Sequence, residues 1–396
     1  MPHTRRHWMP ALALALAAAL APAAAGAAPL YLGADLSYVN EMEDCGVQYR
    51  ERGAVQDPFA LFHTHGANLV RVRLWNDARW TRYSDLSDVK KSIRHARAQG
   101  MQVLLDFHYS DDWADGEKQL IPKAWAAITD QDELARTLYG YTYDTLSALD
   151  RAGLMPELVQ VGNESNSELM DSQPWDKRRP IDWARNARLL RAGIQAVRDA
   201  GARSAIKPKV MLHIAQPENV EPWFAAASKA GVRDFDVIGI SYYRKWSSES
   251  MTGLGATIKR LRKRYRAEVM VVETAYPWTL KSGDASPNLL GEDSLIPGYP
   301  ATPQGQLKYL VDLTQLVIDS GGSGVVYWEP AWTSSSCKTR WGTGSSWENA
   351  SFFDFGNGNE LLPGIEFMRH AYRRAPKPAT KAKPDAVKPH NQDPQP

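Results

Sequence analysis

Two glutamates stand where acid–base or nucleophilic chemistry could be built. Glu164 closes the run Val161-Gly162-Asn163-Glu164, and Glu273 closes Val271-Val272-Glu273. Each follows apolar, β-branched residues, so each carboxyl would be held at the end of a buried strand. One glutamate so placed is as readily a structural ion-pair partner. Two, among histidines, tyrosines and tryptophans, are harder to assign to packing. Two carboxyls facing one bond can divide the work: one protonates a departing oxygen, the other attacks the carbon or activates water, as hydrolysis of a glycosidic bond requires. One must then stay protonated and the other ionised. Arg71 and Arg73 could keep Glu273 charged, and Tyr242 or Tyr243 could orient it. Asn163 could hold a sugar 2-hydroxyl. The competing reading of the arginines is plain pairing with Asp35 or Asp106.

The elements that would carry these residues form a regular series. Short apolar runs cover Tyr31–Ser37, Leu69–Trp75, Gln102–Tyr109, Leu158–Glu164, Lys209–Ala215, Val237–Tyr243, Val269–Tyr276 and Gly324–Pro330. Helical patterns lie between them, among them Leu86–Ala98, Ile181–Ala200 and Thr302–Ser320, each followed by Gly within a few residues. Eight strand–helix units with strands apolar on both faces predict an α/β fold, a (β/α)8 TIM barrel. An open doubly wound sheet would call for a Gly-rich phosphate loop after the first strand, and Gly33-Ala34-Asp35 leads into none. Barrel active sites gather at the C-terminal strand ends. Those ends carry Arg71, Arg73 and Trp75; Asp106, His108 and Tyr109; Asn163 and Glu164; His213; Tyr242 and Tyr243; Glu273; Trp328 and Glu329.

The ends of the chain read differently. Residues 1–27 have Arg5 and Arg6, an Ala/Leu run over 11–20 and small residues at 25–27, the pattern of a cleaved secretory signal; an uncleaved anchor is the alternative. Residues 375–396 are Pro- and Lys-rich with little to bury, as in a disordered tail. The catalytic barrel is assigned to 29–374. The net charge of +2 is spent at the ends: Arg5 and Arg6 supply +2, and four Lys against two Asp in the tail another +2, leaving the core near −2. That argues against nucleic acid as a partner, and the short apolar run argues against a membrane span. Fourteen Trp and sixteen Tyr suit a surface on which sugar rings stack. Cys45 and Cys337 fall in the loops after strands 1 and 8, neighbours in a closed barrel, and are expected to pair as a disulfide in an exported protein. His63 and His65 precede strand 2 and are not read as a metal pair. Asn163-Glu164-Ser165 and Asn349-Ala350-Ser351 match the glycosylation sequon, a short pattern met by chance.

The motifs together resemble glycoside hydrolase family 53, the arabinogalactan endo-β-1,4-galactanases of clan A. The stretches are Gly33-Ala34-Asp35-Leu36-Ser37, Asn68 to Trp75, Leu105 to Asp115, Asn163-Glu164, Glu273-Thr274-Ala275-Tyr276-Pro277 and Tyr327 to Trp332. The resemblance implies a retaining enzyme on β-1,4-galactan, with Glu164 as acid/base and Glu273 as nucleophile. His108, Tyr242 and Trp328 would line the cleaved sugar's site, and Trp75, Trp332, Trp347 and Asn349 the groove. Ala275 replaces the Gly common in the family. Some bacterial members hold two rim loops with calcium; here Asp284, Glu292 and Asp293 are the residues that could, with the disulfide as the rival clamp. No other cofactor is expected, and the enzyme is read as a monomer. Two rivals stay open: a clan relative acting on mannan, xylan or glucan, and a carbohydrate-binding barrel without activity.

Overall fold

In the computed structural model, which describes residues 30–172 and 180–373, the eight apolar runs become strands β1 (Tyr31–Asp35), β2 (Leu69–Leu74), β3 (Gln102–Phe107), β4 (Leu158–Val161), β5 (Lys209–Ala215), β6 (Val237–Ser241), β7 (Glu268–Glu273) and β8 (Gly324–Tyr327). Each pairs in parallel with its neighbours, and β1 pairs with both β2 and β8, so the barrel closes. The intervening helices are α1 (Pro58–Thr64), α2 (Leu86–Ala98), α3 (Gln131–Asp150), α4 (Trp183–Arg203), α5 (Pro217–Lys229), α6 (Met251–Tyr265) and α7 (Pro303–Asp319). Side chains of Asp85, Asp182 and Thr302 cap three of them, accepting from backbone N–H groups of the first turn. The 3-10 segment Pro363–Arg369 takes the eighth outer position against α7. The expected signal and tail lie outside the described residues.

Alternation along each strand sorts the barrel interior into layers. Leu69, Leu104, Leu158 and Met211 belong to one buried apolar cluster with Val237, Met270 and Val326. Two positions on, toward the C-terminal mouth, the same faces carry Arg71, Asp106, Gln160 and His213, all buried. An apolar plug thus underlies a polar layer.

Several strands stop earlier than the sequence suggests. β4 ends at Val161 and β8 at Tyr327. Past these ends the backbone turns into the left-handed region, at Gly162 (φ 83°), Glu164 (φ 41°) and Glu329 (φ 47°), which directs side chains inward instead of continuing the ladder. Glu273 is aimed by another device. Met270 and Val272 both face the inner cluster, so strict alternation would send Glu273 outward. The β6–β7 pairing steps from Ile240–Val271 to Ser241–Glu273, and that bulge brings Glu273 into the mouth.

Cys45 and Cys337 form a disulfide, Cα–Cα 5.5 Å, linking the loops after β1 and β8 across 292 residues of chain. The sequence does not announce the small sheet of Tyr49–Glu51, Ala54–Gln56, Phe353–Asp354 and Glu360–Leu361. His63 lies on α1, and His65 is buried between Glu51 (3.1 Å) and Glu366 (2.9 Å), tying the first loop to the closing segment. Among the described residues no helix is long and apolar enough to cross a membrane.

Candidate active site

A cleft of about 1270 Å³ crosses the C-terminal mouth, with Glu164, Glu273 and Asn163 in its floor and Trp328, Trp332 and Trp347 in its wall. Carboxylate oxygens of Glu164 and Glu273 and a ring nitrogen of His213 lie within 4.8 Å of one another. Glu273 Oε1 is 2.8 Å from Arg71 Nη2, and its Oε2 accepts from the Tyr243 hydroxyl at 3.1 Å. Glu164 Oε2 accepts from the Gly116 N–H at 3.2 Å, and the Ser241 hydroxyl also reaches its carboxylate.

Burial pushes Glu164 up to about 7, helped by the charge of Asp115. Burial likewise pushes Glu273 up to about 8, with Arg71 opposing and Glu164 adding. Two carboxyls so close and so buried do not both ionise readily, so near neutral pH they share one proton. Those two values taken alone would put that proton on Glu273. The hydrogen-bond donors around each carboxyl put it on Glu164 instead. Glu273 faces a guanidinium and a phenol that burial, then the nearby carboxylates, keep protonated. Glu164 faces one backbone N–H, one hydroxyl and an acid. The charge therefore belongs on Glu273 and the proton on Glu164.

The polar layer below holds this arrangement. Arg71 meets Asp35 and Asp106 at 2.8 Å each and donates to Asn163 Oδ1 at 2.7 Å. Against the cost of burial, Arg71 and then His108 hold Asp106 below the usual carboxylate range. Burial, then Arg71, depresses His213 well below its usual value, so its ring is neutral. The Glu164 backbone N–H, which cannot turn, points at His213 Nδ1 (3.3 Å). Nδ1 thus accepts, and we place the ring proton on Nε2, 2.8 Å from Ser241 Oγ. Ser241 can then pass its own O–H to Glu164. Asn163 Nδ2 donates to Ala114 O at 2.8 Å, which leaves its second N–H for the cleft.

Several expected substrate contacts turn out to be supports. Arg71, Asp106 and His213 lie beneath the floor. Arg73 is buried among the rings of Tyr38, Trp75 and Trp113, its carbon 4.8, 4.6 and 4.1 Å from their centroids, and pairs with Glu329 at 3.1 Å. Trp75 is packed on that guanidinium and does not reach the cleft. His108 Nδ1 accepts from Ala114 N–H (3.1 Å), and its Nε2 lies 3.0 Å from Asp106. The Tyr242 hydroxyl turns away to Glu249 O; Tyr243 occupies the place beside Glu273. Asn349 is buried, donating to Thr279 O and Leu290 O, and clasps the loops after β7 and β8. Burial of Asn163 and Asn349 closes both sequons to a glycan.

The acids named for calcium do not fit one ion. Asp284 accepts from the N–H groups of Ser286 and Ser345 at 2.8 Å and from the Ser334 hydroxyl at 3.1 Å, Asp293 pairs with Lys245 at 2.9 Å, and Glu292 is exposed. Asp284 itself fastens the two rim loops that calcium would have joined.

Sequence reasoning passed over Gln160, whose amide lies between Asp106 Oδ1 (2.5 Å) and His213 Nδ1 (3.0 Å). A lone Gln inside Leu158-Val159-Gln160-Val161 was its signal. Gln119, which donates to Asn163 O (2.7 Å) and Glu164 O (3.2 Å) and so braces the left-handed turn, left none.

The model for glycosyl hydrolase family 53 matches residues 31–368. An arabinogalactan endo-β-1,4-galactanase of Cellvibrio japonicus is 54% identical, covering 92% of this chain and 96% of its own. An endo-β-1,4-galactanase of Bacillus subtilis is 34% identical, with 86% and 85% covered. Among solved structures, the family 53 catalytic domain of Ignisphaera aggregans superposes with TM-score 0.78 at 32% identity, covering 89% of this chain and 99% of that one. The chain belongs to glycosyl hydrolase family 53.

Proposed function

We propose that the chain is an exported, retaining endo-β-1,4-galactanase that cleaves galactan side chains of pectic arabinogalactan. The observation that carries the mechanism is the approach of the Glu164 and Glu273 carboxylate oxygens to within 4.8 Å. Inversion needs the carboxyls about 6.5–9.5 Å apart to admit water, whereas retention uses about 5–5.5 Å. Glu164 protonates the glycosidic oxygen while Glu273 attacks the anomeric carbon, giving a glycosyl ester on Glu273 and a free leaving group. Glu164, now a base, takes a proton from water, which displaces Glu273. Asn163 offers its free N–H to the 2-hydroxyl of the reacting sugar. The galactan substrate rests on the names of the relatives, and export on the leader read over residues 1–27. No calcium step is needed.

The test is galactan digestion with sizing of products and proton NMR of the newly formed anomer. First-formed β-products with wild type, and loss of several orders of magnitude in turnover for Glu164→Gln and Glu273→Gln, are the expected results. First-formed α-anomers would exclude retention, and cleavage of mannan, xylan or cellulose but not galactan would exclude the substrate.

A further inference from the structure

Of the five large apolar side chains most exposed among the described residues, three line the cleft: Trp246, Leu289 and Trp341. Trp341 stands with Trp113 and Trp328 on the side of β8 and β3. Trp246 and Leu289 stand on the loops after β6 and β7. The Trp246 ring, 43% exposed, lies edge-on to Tyr243 at 5.3 Å. Lys245 supports it: its Nζ is 5.9 Å from the ring centroid, donates to Leu289 O at 2.8 Å and pairs with Asp293 at 2.9 Å, pinning the two loops together. A large indole held out in a cleft by its neighbours marks a contact surface for a ligand.

A second, independent feature lies beside it. Gln216, next after β5, has φ 58° and ψ 133°, backbone that residues with side chains rarely adopt. Such strain persists where the surroundings impose it, and it concentrates at ligand sites. Gln216 lines the cleft, as does Asn219. Its side-chain oxygen receives one long contact, from Asn219 Nδ2 at 3.4 Å, and its side-chain nitrogen is engaged by no described residue.

We propose that Trp246, Gln216 and Asn219 form a sugar subsite on the leaving-group side of the scissile bond, Trp246 stacking on a pyranose face and the two amides meeting its hydroxyls. The inference rests on the functional reading above and deepens it. The side follows from the proton donor. The Gln216 N–H bonds Ser241 O at 3.0 Å, and Ser241 also reaches Glu164. The subsite therefore lies on the acid's side of the cleft and, set back from Glu164 by Ser241, takes the second departing unit, which a central cut of a tetrasaccharide fills and a reducing-end cut leaves empty. The donor sugar sits over Glu273 against Trp328.

The experiment measures which bond of reducing-end-labelled galactotetraose is cut. Without leaving-group contacts the chain slides to place more units on the donor side. Trp246→Ala and Gln216→Ala should therefore shift cleavage toward the reducing-end bond by about tenfold relative to the central bond. Trp246→Phe should hold the pattern nearer wild type. Gln216→Gly relieves the backbone, so it should shift cleavage without lowering the melting temperature, which a purely structural role for Gln216 would not produce. An unchanged bond pattern in folded Trp246→Ala overturns the subsite, and so does a shift toward the non-reducing end. Wild-type cleavage of galactan separately carries the functional reading. If wild type cuts another β-linked glycan instead, the same bond pattern on that tetrasaccharide still decides the subsite.

Discussion

Arg71 Nη2 lies 2.8 Å from Glu273 Oε1, and the same guanidinium meets Asp35 and Asp106 at 2.8 Å, all of it out of solvent. One cation thus serves three carboxylates, two of them with no access to substrate. Arg71 is a fixed counter-charge for Glu273, the proposed nucleophile, and a pillar of the barrel mouth. The fork of the guanidinium matters as much as its charge, because a lysine cannot address three acceptors in one plane.

Replacing Arg71 should consequently harm both fold and chemistry. Arg71→Met leaves buried acids unpaired and should lose about 3–5 kcal/mol of stability. Arg71→Lys should retain more stability yet lose roughly 10²-fold in kcat by misplacing Glu273. Urea melts beside kcat on galactan check this; Arg71→Met with near-wild-type turnover would refute the counter-charge role.

The two adjacent tyrosines should behave unlike each other. Tyr243→Phe removes a donor from Glu273 Oε2 and raises the nucleophile's pKa, so the acid limb of kcat/KM should move to higher pH and kcat should fall about 10–100-fold. Tyr242→Phe removes a bond to Glu249 O outside the cleft, and its effect should fall on stability, about 1 kcal/mol. Equal effects of the two on the pH profile would contradict the geometry.

This pair also shows how far the sequence was legible. β-Branched runs and their polar ends located the strands and both glutamates, since burial dictates residue type along a whole strand. They could not say which of Tyr242 and Tyr243 turns inward, because the answer depends on the bulge opposite Ser241 and on positions past the strand end, where alternation no longer holds. Arg71 and Arg73 read equally well as substrate ligands or ion-pair partners; only the closed barrel brings Asp35, Asp106 and Glu329 to them from β1, β3 and the turn past β8. Asn349 entered as a groove residue through the family resemblance alone, but the 3-10 turn Glu348–Ala350 points it at the neighbouring loop.

The raised carboxyls make stability depend on pH. In the folded protein burial keeps the proton that the pair shares on Glu164 up to about 7, against an ordinary value of 4.5 when unfolded. Between 4.5 and about 7 the folded state binds more protons, so stability falls as pH rises. The melting temperature should drop from pH 5 to pH 8, and Glu164→Gln should flatten the slope and be more stable than wild type at pH 8. The same protonation sets the basic limb: kcat/KM should decline as pH rises through about 7, where Glu164 ceases to be an acid. A melting temperature that rises across this range in wild type alone would count against the buried, proton-sharing pair.

The disulfide ties stability to the far end of the cleft. Cys337 directly precedes the hairpin that carries Trp341, whose ring meets Trp80 at 5.0 Å and Trp113 at 6.3 Å, while Arg340 pairs with Asp112 at 3.0 Å. Cutting the link to Cys45 frees a very long chain loop in the unfolded state and leaves the hairpin held by ring contacts and one exposed ion pair, which is worth little. The double variant Cys45→Ser, Cys337→Ser should lose about 2–5 kcal/mol. Its KM for polymeric galactan should rise several-fold, while kcat, set at Glu164 and Glu273, changes less. Thermal melts and Michaelis parameters with and without a thiol reductant separate the two effects: reductant should move wild type toward the double variant and leave the variant alone. A wild type whose melting and KM ignore reductant under conditions that expose both thiols to labelling would rule out the clamp.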